Sequence, residues 1–572
     1  MAALCAGHDV LAQHPLNVRR DTVSIPMRDG VRLFAVVFRP DTEGKFPAIV
    51  YRTPYGAEKY AGYAEFPLKA SKQGYVVFIV DVRGRYGSEG IFEAYRHEKP
   101  DGYDVIEWVA KRYQYSDGNV GTFGGSYLGF VQWLAMSQAP PSLKAACPDM
   151  TPIHSHQFFY VGGAFSFGWL EWFYTLMLPD LRRRAGDTTG TWDTAEAVRE
   201  WESVKAHWNT LRPLASNPAI IQYVPYYNEW LAHPDRSVFW DFANIEKDFP
   251  RMSTPALIHT GWYDAVYGLL GATEGFNKLC ALGSTDDARK KTRLIIGPWN
   301  HTTPGVRKTR FGAMENGIAA GLDFDRLLLD WFDAHLKNID RQPTPPVSIF
   351  VMGENKWRYE NEWPLARAQN FDFYLRQDNR LETAPPGKEP PDKYIFDPAT
   401  PLYDSLYQRP VPYDQRQLES RSDVVTYTTD PLDSDVEVTG QIALELFVSS
   451  TARDTDFSFT LCDVYPDGTS LNLASLESGY LRMRYRNGND HQELIESGRI
   501  YKIRIDNYYT SNLFQKGHRI RLSVTSSKFP HYDVNTNTGN ALLYDTMTTP
   551  ATQTIYHDPR HPSRLILPII PK

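Results

Sequence analysis

Gly121-Thr-Phe-Gly-Gly-Ser-Tyr-Leu-Gly129 is the stretch that decides the fold. It leaves an apolar, β-prone run that includes Val120 and Phe123, and leads straight into Phe130-Val-Gln-Trp-Leu-Ala-Met136, which reads as helix. A serine held between a strand and a helix, with glycines around it, is the setting of a nucleophile elbow. The sharp turn forces the serine into strained φ/ψ, and small neighbours let the helix pass close to the strand. Ser126 is therefore the candidate nucleophile. The usual spacing is G-x-S-x-G; Gly124 stands two before Ser126, but the next glycine, Gly129, comes one place late. A Gly-rich strand-to-helix turn with a surface serine would look the same locally, so the surroundings must decide.

Upstream, Val23-Ser-Ile25 and Val31-Arg-Leu-Phe-Ala-Val-Val37 flank Arg28-Asp-Gly30 and read as a hairpin. Phe46-Pro-Ala-Ile-Val-Tyr51 and Tyr75-Val-Val-Phe-Ile-Val80 read as buried strands. Helical segments fall near 64–72 and from Asp104 to Tyr113, where Val105, Trp108 and Val109 share a face. Apolar strands alternating with helices predict a parallel sheet covered on both faces.

Downstream, 151–245 lacks comparable strand signals and is dense in aromatics, from Phe158 to Tyr174. It reads as an inserted α-helical cap, with one helix over 195–208. The sheet pattern returns at Pro255-Ala-Leu-Ile-His-Thr260 and Arg293-Leu-Ile-Ile-Gly297. An amphipathic helix follows, with Phe324, Leu327, Leu328, Trp331, Phe332 and Leu336 on one face. Beyond about 345 the chain alternates as β, for example Gln441-Ile-Ala-Leu-Glu-Leu-Phe-Val448 and Arg519-Ile-Arg-Leu-Ser-Val524. That predicts a β-sandwich, a jelly roll. The expected division is an α/β-hydrolase domain from 1–150 and 246–345, the cap at 151–245, and the jelly roll at 346–572.

At 572 residues, 42% hydrophobic and 23% charged, the chain has the composition of a soluble globular protein of about three or four domains. A net charge of −7 and the lack of a basic run argue against a nucleic-acid partner. No apolar run near the serine approaches the roughly 20 residues of a membrane span. The N-terminus has no basic region before its short apolar stretch, so the expected location is cytoplasmic. Cys5, Cys147, Cys280 and Cys462 lie far apart, which excludes a disulfide framework or zinc motif and makes each a small buried hydrophobe.

A serine hydroxyl needs a base to take its proton and an acid to orient that base. On this fold the order is Ser, then Asp or Glu, then His, in loops after later strands. The strand at 255–260 runs into Gly261-Trp-Tyr-Asp264, and that at 293–297 into Gly297-Pro-Trp-Asn-His301. Both end at the carboxyl edge of a parallel sheet, where such folds build their sites. Ser126, Asp264 and His301 form the candidate triad. The N–H of Tyr127 supplies one oxyanion donor. The loop after the strand at 46–51 lacks H-G-G-G but holds Pro54-Tyr55, whose phenol is the candidate second donor; a packing role is the alternative.

These residues resemble the cocaine-esterase-like family of serine hydrolases, which includes α-amino acid ester hydrolases, glutaryl-cephalosporin acylases and X-Pro dipeptidyl peptidases. The resemblance runs from about residue 20 to the C-terminus. Its markers include Arg52-Thr-Pro-Tyr55, Asp81-Val-Arg-Gly-Arg-Tyr-Gly-Ser-Glu-Gly90, the elbow with its late glycine, Gly261-Trp-Tyr-Asp264, Gly297-Pro-Trp-Asn-His301, Asp454-Thr-Asp-Phe457 and Gly517-His-Arg-Ile-Arg-Leu522. It implies the triad Ser126, Asp264, His301, an oxyanion hole of Tyr55 OH and Tyr127 N–H, and no metal or organic cofactor. The α-amino acid ester hydrolases bind an ammonium group with a carboxylate cluster; the matching positions here are Val266, Tyr267 and Tyr160, all uncharged. The implied pocket is apolar and aromatic, with Tyr160, Trp169, Trp172 and Val266 as its candidate walls.

The expected activity is hydrolysis of a small-molecule ester or amide through an acyl-enzyme. An X-Pro-type dipeptidyl peptidase or an α-amino acid ester hydrolase or β-lactam acylase is the alternative, and a non-catalytic binding protein the remote one. No nucleic-acid or membrane partner is expected, and the sequence leaves a homo-oligomer open.

Overall fold

The computed structural model describes residues 16–63, 65–205, 218–301, 309–341, 345–402, 411–475, 478–541 and 544–572. An α/β unit with a mixed sheet leads into a β-rich C-terminal region. The sheet is built from β1 (Val18–Pro26), β2 (Arg32–Pro40), β3 (Phe46–Thr53), β4 (Val76–Asp81), β5 (Ser116–Gly125), β6 (Leu143–Asp149), β7 (Leu257–Tyr263), β8 (Arg293–Asn300), β9 (Val347–Val351) and β10 (Lys356–Glu360). Their order across the sheet is β1-β2-β4-β3-β5-β6-β7-β8-β9-β10.

From β4 to β9 the strands run parallel, and every residue of β4, β7 and β9 is buried, as a doubly covered sheet requires. The edges differ from the all-parallel expectation. The hairpin β1–β2 and the strand β10 are antiparallel, because short turns join them to their neighbours. The helix Tyr127–Met136 is buried along its whole length. The helix Phe324–Leu336 begins where Asp323 accepts from the Arg326 N–H, and lays Phe332 against Gly121 of β5.

The expected boundary at 346 falls inside this sheet. β9 and β10 extend it beyond β8, so the second sheet begins only at the strand Gln369–Arg376. Between β6 and β7 the chain is mainly helical, as read from its sequence, but includes the short antiparallel pair Tyr160–Val161 and Ala164–Phe165 and a widened π-helical turn, Phe173–Met177. The helix expected over 195–208 is Thr194–Lys205; the end of that expectation lies outside the described residues. Phe159, Phe173, Trp230 and Trp240 pack face to edge at the centre of this insert.

The C-terminal sheet is dominated by the long antiparallel pair Val436–Ser450 and Tyr501–Phe514. Its core, with Leu444, Leu446, Phe457, Phe459, Leu522 and Val524, is separate from that of the first sheet. It joins the insert through Asp533, whose carboxylate accepts from the Phe165 N–H (2.7 Å) and pairs with buried Arg482 (3.0 Å). Cys147 and Cys462 are buried, Cys280 is half-exposed, and all three are unpaired; Cys5 lies outside the described residues. Among the described residues no helix is long and apolar enough to cross a membrane.

Candidate active site

Ser126 sits between β5 and the helix Tyr127–Met136 with φ 64° and ψ −126°, the strained conformation that an elbow demands. Its N–H donates to Asp149 O of β6 at 3.0 Å. Buried Gln132, two turns along the helix, donates to Gly124 O, Leu128 O and Cys147 O and accepts from the Cys147 N–H. The late glycine has a steric cause: a Cβ at Gly129 would stand 2.4 Å from Asp149 O, so only glycine lets the helix lie this close to β6.

Asp264 and His301 leave neighbouring strands. β7 and β8 pair in register up to Gly261 and Gly297, then β8 carries one extra residue before Asn300 pairs with Tyr263. This bulge re-aims the end of β8 and sets His301 beside Asp264. His301 Nδ1 lies 2.9 Å from Asp264 Oδ1. Asp264 is wholly buried, and the same oxygen accepts from the N–H groups of Val266 (3.0 Å) and Tyr267 (3.4 Å). The imidazole remains a quarter exposed, open towards a substrate.

Tyr55 follows β3, at the same edge of the sheet. Its phenol oxygen accepts from the indole N–H of Trp172 at 3.1 Å. Burial pushes the phenol up to about 12, and hydrogen bonding with Trp172 and Ser126 pulls the other way. The phenol therefore stays protonated at working pH and keeps a proton to donate. Tyr127 is held from behind: its O–H donates to Glu98 at 2.8 Å, Glu98 pairs with Arg52 at 2.5 Å, and the Tyr95 ring stacks on it at 4.3 Å. Burial raises Glu98, and Arg52 opposes that rise.

The four expected pocket residues separate. Tyr160 and Val266 line a cavity of 320 Å³ between the insert, the loop after Asp264 and the C-terminal sheet. Trp169 and Trp172 are not among its lining residues. Trp169 is buried against Phe158 and Phe159 and gives its N–H to Phe158 O; Trp172 stacks 6.1 Å from Tyr127. Sequence reasoning missed Tyr267 as a site residue. Its ring lies 5.6 Å from that of His301, its hydroxyl is 3.1 Å from the Tyr95 hydroxyl, and Ser126 draws its pKa down against burial. It also missed Arg85 and Glu98, although Arg85 stands inside a quoted motif.

The family model described as X-Pro dipeptidyl-peptidase (S15 family) matches residues 29–303, and that of the X-Pro dipeptidyl-peptidase C-terminal non-catalytic domain matches 340–566. The chain is 35% identical to a cocaine esterase of Rhodococcus sp. (strain MB1 Bresler) over 96% of its own length and 98% of the relative's. Solved structures of an α-amino acid ester hydrolase (TM-score 0.82) and of an aminopeptidase from a marine sediment Thaumarchaeota archaeon (TM-score 0.81) are each 25% identical, with 97% of both chains covered. With these matches spanning both sheets and the insert, the chain belongs to the cocaine-esterase-like X-Pro dipeptidyl-peptidase (S15) family of serine hydrolases.

Proposed function

We propose that the protein is a serine hydrolase that cleaves carboxylic esters, or amides, through an acyl-enzyme, with Ser126 as nucleophile, His301 as general base and Asp264 as its orienting acid. The observation that carries this reading is the 2.9 Å pair of His301 Nδ1 and buried Asp264 Oδ1, at the sheet edge where Ser126 is strained. With its Nδ1–H given to Asp264, the imidazole keeps the Nε2 lone pair for the Ser126 proton. Ser126 Oγ attacks the acyl carbon as Nε2 takes that proton. The developing oxyanion accepts from the Tyr127 N–H and the Tyr55 O–H. The tetrahedral adduct collapses, and His301 returns the proton to the leaving alcohol or amine. Water, deprotonated by the same Nε2, then releases the acid and restores Ser126.

In this reading the helical insert is a cap and the C-terminal region a jelly roll, and the two close the cavity behind Val266 and Tyr267. The rings of Tyr160, Tyr480 and Tyr532 on its wall suit an apolar or aromatic acyl group. Among the described lining residues the acid is Asp506, which is paired with Arg504 at 3.0 Å. That pairing, with neutral Tyr160, Val266 and Tyr267, supports simple esters over substrates anchored by an ammonium group. The identity with a cocaine esterase points the same way.

The test is a substrate panel of aryl esters, β-lactam amides and dipeptidyl-proline anilides, run with wild type and Ser126→Ala. Aryl esters are expected to be turned over fastest, and Ser126→Ala to lose about a millionfold in kcat. Preferential cleavage of the dipeptidyl-proline anilides would transfer the reading to the peptidase class, and turnover surviving in Ser126→Ala would refute the nucleophile.

A further inference from the structure

A phenol can donate or accept, so the presence of Tyr55 beside Ser126 does not by itself say which it offers to substrate. The phenolic hydrogen lies near the ring plane and has two orientations. An indole N–H has no such freedom, for it only donates. Trp172 aims that N–H at Tyr55 Oη from 3.1 Å, and so forbids the orientation in which the two hydrogens would face each other. The Ser126 hydroxyl bears on the same phenol oxygen.

The indole is itself held in place. It stacks on the Tyr127 ring at 6.1 Å and 14°, and meets Trp169 and Phe173 edge-on at 5.4 and 5.0 Å. Behind it, buried Arg85 ties the two partners' backbones together. Its guanidinium donates to Pro54 O (2.8 Å), the carbonyl just before Tyr55, and to Leu176 O and Met177 O (both 3.0 Å), in the π-helical turn that follows Trp172. Asp180 lies 3.6 Å from the same group and accepts from the Tyr86 N–H. A π-helical turn widens the backbone and turns its carbonyls away from the regular ladder, which frees them for such a clamp.

We propose that Trp172 is a positioning residue of the reaction: its N–H occupies a lone pair of Tyr55 Oη and turns the phenolic O–H towards the acyl oxygen at Ser126. This rests on the serine-hydrolase reading above, in which Tyr55 is an oxyanion donor. Arg85 holds the pair at the distance that hydrogen bond needs. Trp172 was expected as a pocket wall; here it acts on the reaction through Tyr55 and touches no reacting atom.

The experiment measures single-turnover acylation by p-nitrophenyl acetate, with enzyme in excess, in wild type, Tyr55→Phe, Trp172→Phe and the double variant. Trp172→Phe keeps an aromatic ring and removes the N–H. The maximal acylation rate is expected to fall about tenfold with half-saturation within about twofold, since the lost bond acts as charge develops. In the Tyr55→Phe background the same change is expected to do nothing further. Replacing Trp172 by β-(3-benzothienyl)alanine, which puts sulfur in place of N–H in a ring of the same shape, is expected to reproduce Trp172→Phe and covers the case in which that variant folds poorly. An unchanged rate for both replacements, or an equal loss with and without Tyr55 hydroxyl, overturns the inference while leaving Tyr55 in its role. A Tyr55→Phe variant that acylates at the wild-type rate overturns the oxyanion reading itself, and the inference with it.

Discussion

Tyr55 and Tyr267 bring two phenols to bear on the Ser126 hydroxyl, and only one has its proton aimed by a fixed donor. Tyr55→Phe therefore removes a transition-state hydrogen bond while keeping the ring, and kcat is expected to drop by about 10²–10³, roughly 3–4 kcal/mol, with little change in KM. Steady-state kinetics with acylation rate-limiting checks this; a loss of only a few fold would make Tyr55 a packing residue. Asp264→Asn keeps the shape of the loop but favours the wrong imidazole tautomer, and is expected to cost on the order of 10⁴ in kcat. At this scale the sequence carried Ser126, Asp264, His301, Tyr55 and Tyr127, because each follows a strand end that apolar patterning marks. It could not carry the Trp172 bond to Tyr55, which joins a half-buried indole in the insert to a loop of the first sheet. The spacing of aromatics within 158–174 says that rings pack, not which N–H faces which hydroxyl.

Among elements, the helix after the elbow is the most tightly determined. Its approach to β6 leaves no room at Gly129, where a methyl group would meet Asp149 O at 2.4 Å. Gly129→Ala is expected to destabilise by about 1–3 kcal/mol or more and to lower activity with it, as the helix is pushed off the strand that holds the Ser126 N–H. Thermal melts monitored by circular dichroism, beside kcat, check both. A variant as stable and active as wild type would mean that the close packing is not required. The helix Phe324–Leu336 and strands β3, β4, β7 and β8 were legible because their apolar periods are strong and their ends marked. The assignment of β9 and β10 to the first sheet was not. Alternation reports that a strand has a buried face, and β9, buried on both faces, takes its partner from the position of β8 rather than from its own sequence.

Across the whole molecule, acid is expected to act through buried imidazoles. Burial holds His154 down to about 3, His156 to about 4 and His259 to about 3, against 6.5 in the unfolded chain. Their folded values are depressed, so the unfolded chain binds more protons below pH 6.5. Each contribution is complete above that pH and is lost as pH falls towards 3–4, by up to about 1.4 kcal/mol per pH unit and ring. Asp81, raised to about 7 by burial, works in the opposite sense, losing stability as pH rises from 3.8 through 7. A difference between proteins isolates one ring: His259, packed between Trp299 and Phe324, can be replaced by Leu. The stability of His259→Leu, from urea unfolding at pH 7, 6 and 5, is expected to fall less steeply than wild type by about one proton; parallel curves would show that His259 titrates normally.

The same scale holds the join between insert and C-terminal sheet, where Asp533→Ala would strip a carboxylate from buried Arg482 and the Phe165 N–H. A loss of about 3–5 kcal/mol is expected in urea unfolding; a loss under about 1 kcal/mol would mean that Asp456, the other partner of Arg482, suffices alone. All of these elements converge on one serine. The direct measurement is to treat the protein with a fluorophosphonate and map the adduct by peptide mass spectrometry. The account predicts one stoichiometric phosphonyl group on Ser126, none in Ser126→Ala, and much slower labelling in His301→Ala. An adduct on another residue, or esterase turnover that survives with Ser126 blocked, would contradict it.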